Sequence, residues 1–93
     1  MLKPLEELVK IIRERKKTNS EKSYTNKLLN NKKLCVAKIN EEVNELIEAI
    51  EKNDNKIHEA ADVFYHLLVL LESSEIKIED VLQELKKRQN EIR

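Results

Sequence analysis

The 93-residue sequence contains no glycine, and this absence excludes several common kinds of nucleotide site. An average soluble chain is about 7% glycine, so roughly six would be expected here. A P-loop, a dinucleotide-binding fingerprint and a nucleophile elbow each need glycine where the backbone approaches a ligand or takes a positive φ. The chain is therefore poorly suited to holding phosphates with a backbone loop.

Cysteine and histidine are also scarce, which limits the metals that the chain can hold. One cysteine excludes an intramolecular disulfide and a multi-cysteine zinc site, and two histidines exclude a three-histidine zinc site. Asp and Glu together number 18. Because carboxylates suit hard divalent cations, any bound metal is expected to be Mg²⁺, with Mn²⁺ as the second choice.

The charges of the chain are balanced, since Lys and Arg also number 18. A general nucleic-acid binder would be basic, so nucleic acid is not expected as a partner. The N-terminus is charged where a signal peptide needs an apolar core, and the longest mostly apolar run, 60–71, is too short to span a bilayer. We expect a cytoplasmic protein with no membrane partner, in which residues 1–93 form one domain.

Apolar residues recur at helical spacing along the chain, which predicts an all-α bundle of four to five helices. The predicted helices cover about 4–17, 22–30, 32–52 and 55–73, and a last helix begins near residue 79. Pro4 suits a first helical turn. Asn30 and Asn31 mark a break, because asparagine is the best available substitute for glycine at a helix end. Residues 53–55 are predicted to form a turn and an N-cap.

The helix predicted over 55–73 is apolar around most of its circumference. Only Asp62 and His66 interrupt the run from 60 to 71. A helix of this kind is normally buried on most sides, and a chain this short buries a modest fraction of its surface. We therefore expect a homodimer, or a larger homo-oligomer, built around this helix.

Four acidic residues on the third and fourth predicted helices form the main candidate site. Glu42 and Glu45 are spaced i, i+3 beside an apolar face, and Glu59 and Asp62 repeat the spacing. Antiparallel packing would bring the two pairs face to face across a cleft. Four carboxylates in one place repel one another, and a divalent cation relieves the repulsion. The pattern predicts a site for Mg²⁺ and substrate phosphates.

A non-catalytic helical bundle that oligomerises or binds a partner is the simpler interpretation. An ExxE pair occurs by chance in many charged helices, where it forms a solvated face. On this interpretation Asp62 would be paired with a Lys or Arg, because an unpaired acid inside an apolar run is costly. His66 alone is more typical of a hydrogen-bonded histidine at a helix interface than of a ligand or base.

Three segments resemble the phosphoribosyl-ATP pyrophosphohydrolase family, which belongs to the all-α, MazG-like nucleoside triphosphate pyrophosphohydrolases. They are SYTNKLL at 23–29, KINEEVNE at 38–45 and EAADVFYHLLVLL at 59–71. The ExxE and ExxD pairs alone would indicate only the superfamily. The SYTNKLL and YHLLVLL sequences are more specific, and the resemblance covers nearly the whole chain.

The resemblance implies Mg²⁺-dependent hydrolysis of phosphoribosyl-ATP to phosphoribosyl-AMP and pyrophosphate, the second step of histidine biosynthesis. The implied metal ligands are Glu42, Glu45, Glu59 and Asp62. One of these acids would also be the general base. Glu45 and Glu42 are the candidates for that catalytic role, and the resemblance does not decide between them.

The resemblance also implies substrate contacts from basic and aromatic side chains. The candidates are Arg15, Tyr24, Lys27 and Lys38. The last of these lies one turn before Glu42 and would reach a substrate phosphate.

The sequence departs from the family pattern at Asn40, where the family usually has glycine, and in the slightly short segment before residue 38. These departures affect the substrate contacts and leave the metal motif intact. The alternative function is a MazG-like house-cleaning enzyme that hydrolyses free nucleoside triphosphates, which shares the metal motif.

Overall fold

The computed structural model describes residues 1–18, 23–89 and 91, and within these ranges the chain forms five α-helices and no strand. The helices are α1 (Lys3–Lys17), α2 (Tyr24–Leu29), α3 (Lys32–Lys52), α4 (Lys56–Ser73) and α5 (Ile78–Arg88). The predicted all-α fold is confirmed. The predicted helix start at 22 lies outside the described residues, as does most of the segment 18–21 between the first two predicted helices. No helix in the described ranges is long and apolar enough to cross a membrane.

α3 and α4 form a helical hairpin, and they make the most extensive helix–helix contact in the described structure. Only residues 53–55 connect them, so the two helices run antiparallel. Asn53 and Asn55 take the left-handed backbone conformation in this turn, with φ of 55° and 56°. Asparagine tolerates that region better than most residues other than glycine. The turn therefore forms without glycine.

The predicted break at Asn30 and Asn31 is confirmed, because α2 ends at Leu29 and α3 begins at Lys32. Neither asparagine takes the left-handed conformation, since their φ angles are −95° and −139°. Asn31 instead caps α3, because its side-chain oxygen accepts a hydrogen bond from the backbone N–H of Leu34 at 3.1 Å. Asn55 precedes α4 without a side-chain capping bond. The N-cap predicted in the 53–55 turn is thus not made by its side chain.

A small apolar core lies at the end of the hairpin remote from its turn. Its buried side chains come from α1, α2, α4 and the first turn of α3: Val9, Ile12, Leu28, Cys35, Leu68 and Val69. This core holds α1 and α2 against one half of the hairpin. The acidic residues lie along the hairpin between this core and the turn.

The apolar face predicted for α3 does not enter this core. Its side chains remain 39–57% exposed at Val36, Val43, Ile47 and Ile50. The buried stripe of α3 is instead Cys35, Glu42 and Ala49, which recur every seven residues and so lie along one side of the helix. Small residues on that side allow α4 to approach. As a result Glu42 faces the helix interface and the apolar face is left uncovered in a single chain.

One arginine links α1 to the end of α4 and to α5. Arg13 Nε donates to Glu72 at 2.7 Å, and its Nη1 and Nη2 donate to the two carboxylate oxygens of Glu79 at 2.9 and 2.6 Å. This pairing lowers the pKa of Glu79 from 4.5 to about 2. Among the described residues α5 has none that is fully buried. The ion pair is therefore a main attachment of α5, together with Ile78 at the edge of the core.

Acid is expected to release α5. A carboxylate whose pKa is lower in the folded state stabilises the fold above its unfolded pKa, and this contribution is lost as the pH falls. For Glu79 the loss runs from about pH 4.5 down to about pH 2. We expect the protection factors of α5 amides in hydrogen exchange to fall across this range.

Glu79→Gln should show the reduced α5 protection already at pH 7. Glu84→Gln is the matched control, because the ion pair of Glu84 with Arg88 stays within α5. Equal protection of α5 in the wild type and Glu79→Gln at pH 7 would contradict this role of Arg13.

Candidate metal centre

Three of the four predicted acids converge between α3 and α4. One carboxylate oxygen each from Glu42, Glu45 and Glu59 lies within 4.8 Å of the other two. Glu42 and Glu45 are one turn apart on α3, and Glu59 reaches across from the first turn of α4. The hairpin therefore presents oxygen ligands from two helices to one small volume.

Asp62 lies at the edge of this cluster. It forms a second group with Glu59 and His58, whose ligand atoms are likewise within 4.8 Å of one another. Its side chain is 37% exposed, and Asp62 Oδ2 lies 3.4 Å from His58 Nε2. Within the described ranges no Lys or Arg forms an ion pair with Asp62. The Lys or Arg partner that a non-catalytic bundle would require is thus replaced by a histidine.

Glu42 is the most buried of the four acids, with 9% of its surface exposed. Its Oε2 atom and the Oε2 atom of Glu59 are buried and have no hydrogen-bond partner among the described residues. Burial raises the pKa of Glu42, and the negative charges of Glu45 and Asp62 raise it further. Burial also raises the pKa of Glu59, with Glu45 adding to the shift.

Buried oxygens without a donor are rare in folded proteins and call for a missing partner. Here the unpartnered oxygens belong to carboxylates that also repel one another. A divalent cation placed among them would supply the partner and offset the repulsion, and oxygen is the ligand that hard cations prefer. The donor set fits such a cation.

His66 and Tyr24 form a hydrogen-bonded pair beside the acids. His66 Nδ1 lies 2.8 Å from the backbone oxygen of Asp62, and its Nε2 lies 3.0 Å from the Tyr24 hydroxyl oxygen. Since Nδ1 donates to the carbonyl, the neutral ring accepts at Nε2 and the hydroxyl of Tyr24 donates. His66 is only 5% exposed and both its nitrogens are engaged. It is the interface histidine that the sequence favoured, and it anchors α2 to α4.

Of the predicted substrate contacts, Tyr24 and Lys38 are close enough to Glu42 to interact with it electrostatically. Burial raises the pKa of the Tyr24 phenol, and the positive charge of Lys38 partly offsets this rise. The charge of Glu42 raises the pKa of both groups. Lys38 Nζ also lies 3.4 Å from Glu41 Oε2. Lys38 is therefore a partly exposed cation within electrostatic reach of Glu42.

Arg15 and Lys27 are exposed, and neither side chain forms a hydrogen bond or ion pair with a described residue. The backbone oxygen of Arg15 accepts a hydrogen bond from the Asn26 amide at 2.7 Å, which joins the end of α1 to α2. Among the described residues neither cation forms an ion pair with the four acids, and their contact with substrate stays a prediction.

His58 is the residue of this region that the sequence analysis missed. The signal was its position four residues before Asp62, a spacing that places two side chains on the same face of a helix. The ExxE and ExxD patterns contain only acids, so they do not identify His58 as a candidate ligand.

Comparison with known proteins gives a consistent result. A family model described as phosphoribosyl-ATP pyrophosphohydrolase matches residues 5–89. A phosphoribosyl-ATP pyrophosphatase of Clostridium novyi is 41% identical over 92 residues, which cover 95% of this chain and 83% of that protein. One of Bacillus mycoides is 42% identical over 88 residues, or 91% and 82% of the two chains. A histidine biosynthesis bifunctional protein of Pyrococcus furiosus is 44% identical over 85 residues, 90% of this chain and 40% of that protein.

Glu42→Gln is expected to stabilise the metal-free protein at neutral pH. A carboxyl group whose pKa is raised by folding costs stability once the pH exceeds its unfolded pKa, because the folded state must then hold the buried charge. The melting temperature in EDTA at pH 8 should rise by several degrees, since about 1 kcal/mol corresponds to about 4–8 °C in a domain of this size. The gain should shrink as the pH falls towards 4.5, the ordinary pKa of the group.

Glu51→Gln is the matched control, because Glu51 lies on the same helix and is exposed. A melting temperature of Glu42→Gln at or below that of Glu51→Gln in EDTA at pH 8 would contradict the interpretation of Glu42 as a buried, repelled charge.

Proposed function

The chain belongs to the phosphoribosyl-ATP pyrophosphohydrolase family and hydrolyses phosphoribosyl-ATP in histidine biosynthesis, and we propose that the reaction depends on a divalent cation held by its acidic cluster. The proposed ligands are Glu42, Glu45, Glu59 and Asp62. Mg²⁺ is the expected ion and Mn²⁺ the alternative, because the predicted donors are carboxylates. The observation that carries the proposal is the pair of buried oxygens of Glu42 and Glu59 that have no hydrogen-bond partner in the described part of the chain.

A cation bound there would neutralise phosphate charge and lower the pKa of a coordinated water. The protein's own contribution is to fix the acids on two antiparallel helices before the substrate arrives. Glu42 and Glu45 are the proposed catalytic acids. Burial raises the pKa of Glu42, which makes it a stronger base than an exposed glutamate, and Glu45 is more open to water.

The substrate's phosphates are proposed to enter on the side where Lys38 and Tyr24 lie. With no glycine in the chain, phosphate binding has to come from side chains rather than from a backbone loop. Lys38 stands one turn from Glu42 and is the first candidate for a phosphate contact. Arg15 and Lys27 are the proposed contacts for more distant parts of the substrate. Reaction in the cytoplasm is part of the same proposal.

Loss of either acid that has a buried, unpartnered oxygen among the described residues should strongly reduce activity. We expect Glu42→Gln and Glu59→Gln each to lower kcat/KM for pyrophosphate release from phosphoribosyl-ATP by at least about 100-fold, since loss of even an outer partner of a metal site costs about 10–100-fold. Glu51→Gln should retain wild-type activity.

The same assay tests the cation and the substrate. Activity should disappear in EDTA and return with Mg²⁺ or Mn²⁺. Undiminished pyrophosphate release in EDTA would overturn the metal dependence, and faster turnover of ATP or dUTP than of phosphoribosyl-ATP would favour the house-cleaning alternative.

A homodimer is the second part of the proposal, and it rests on the uncovered face of α3. An exposed row of apolar side chains on one helix is typical of an interaction surface. The row consists of Val36, Val43, Ile47 and Ile50. On α4, Phe64 and Leu67 are also 58% and 43% exposed. A second copy of the chain would cover the same patch on both partners in a two-fold arrangement.

Ile47→Glu should therefore convert a dimer into a monomer. Light scattering of the wild type should give twice the chain mass of 11.0 kDa, and the variant should give 11.0 kDa. The control is Ile11→Glu, which places the same charge at an exposed isoleucine on α1. A monomeric wild type at micromolar concentration, or a dimer that survives Ile47→Glu, would overturn this interface.

A further inference from the structure

His58 stands at the edge of the proposed metal centre and has no part in the function argued above. It lies in the first turn of α4 with its side chain 64% exposed. Its Nε2 atom is 3.4 Å from Asp62 Oδ2. One ligand atom each of His58, Glu59 and Asp62 falls within a 4.8 Å limit, as in the cluster of three glutamates.

Glu59 belongs to both groups. It meets Glu42 and Glu45 on one side and His58 and Asp62 on the other. Its Oε2 atom is buried without a partner in the described part of the chain, so a lone pair is available for a ligand. The imidazole is therefore separated from the buried acids by a single shared carboxylate.

We propose that His58 is a ligand of the metal centre, where it adds a nitrogen donor beside Glu59 and Asp62. The inference rests on the proposed metal dependence. Imidazole binds Mn²⁺ and the later divalent ions, whereas Mg²⁺ strongly prefers oxygen. The nitrogen donor should therefore strengthen binding of Mn²⁺ and Co²⁺ relative to Mg²⁺.

The histidine content makes the assignment testable. The chain has two histidines. His66 is buried and its two ring nitrogens are bonded to the Tyr24 hydroxyl and the Asp62 backbone oxygen, so it has no free lone pair for a metal. An imidazole nitrogen found on a bound ion must belong to His58.

The experiment uses Mn²⁺ alone with the full-length, metal-free chain. Electron spin echo spectroscopy of the bound ion should show ¹⁴N coupling of the imidazole type in the wild type and lose it in His58→Gln. The affinity for Mn²⁺ should fall by about 10-fold in His58→Gln, the lower end of the effect typical of outer partners. The affinity for Mg²⁺ should change much less. Ile57→Gln, at an adjacent and 88% exposed position, is the neutral control and should keep the coupling.

The outcomes separate the two claims. Bound Mn²⁺ without ¹⁴N coupling in the wild type, or coupling that persists in His58→Gln, overturns the assignment of His58 and leaves the carboxylate centre intact. A wild-type chain that binds no Mn²⁺ overturns the metal centre and the His58 assignment together.

Discussion

The central constraint on the structure is a carboxylate buried between two helices. Glu42 occupies the stripe of α3 that packs on α4, where most helix pairs would place an apolar side chain. Its neighbours are further acids, so carboxylates repel one another within the contact that defines the hairpin. A metal ion would turn this repulsion into attraction. The stability of the fold and the chemistry of the site are thus linked through one side chain.

The rest of the fold offsets the cost of that contact. The apolar core holds the end of the hairpin remote from its turn, and Asn53 and Asn55 close the other end in left-handed conformations. Arg13 attaches α5, and the bond between Tyr24 and His66 attaches α2 beside the acids. Each attachment is made by side chains on regular helices. A chain without glycine can in this way hold charged groups in fixed positions without a ligand-binding loop.

The sequence was sufficient to predict the helices and to select the acids. Helical periodicity is local, and the i, i+3 pairs at Glu42 and Glu59 need only two antiparallel helices to meet. Periodicity does not say which element covers an apolar face. For α3 the face containing Ile47 is exposed in the single chain. If that apolar face packed on α4 instead, Glu42 would lie at the margin of the helix interface.

Other features depended on contacts that no spacing rule contains. Arg13 meets acids 59 and 66 residues further along the chain, and the phenol of Tyr24 meets a histidine 42 residues away. Left-handed asparagines occur in the hairpin turn, at Asn53 and Asn55, and not at the break formed by Asn30 and Asn31. His58 was visible in the sequence, but only a search for mixed ligands would have selected it.

The most direct test of the central claim is a crystal grown with Mn²⁺ and an anomalous difference map collected from it. An ion held by the two helices should give a peak between α3 and α4 that lies within about 2.0–2.3 Å of oxygens of Glu42, Glu45 and Glu59, the range of hard-cation–oxygen bonds. A map with no peak there, in which the buried oxygen of Glu42 contacts protein atoms only, would contradict the proposed metal centre.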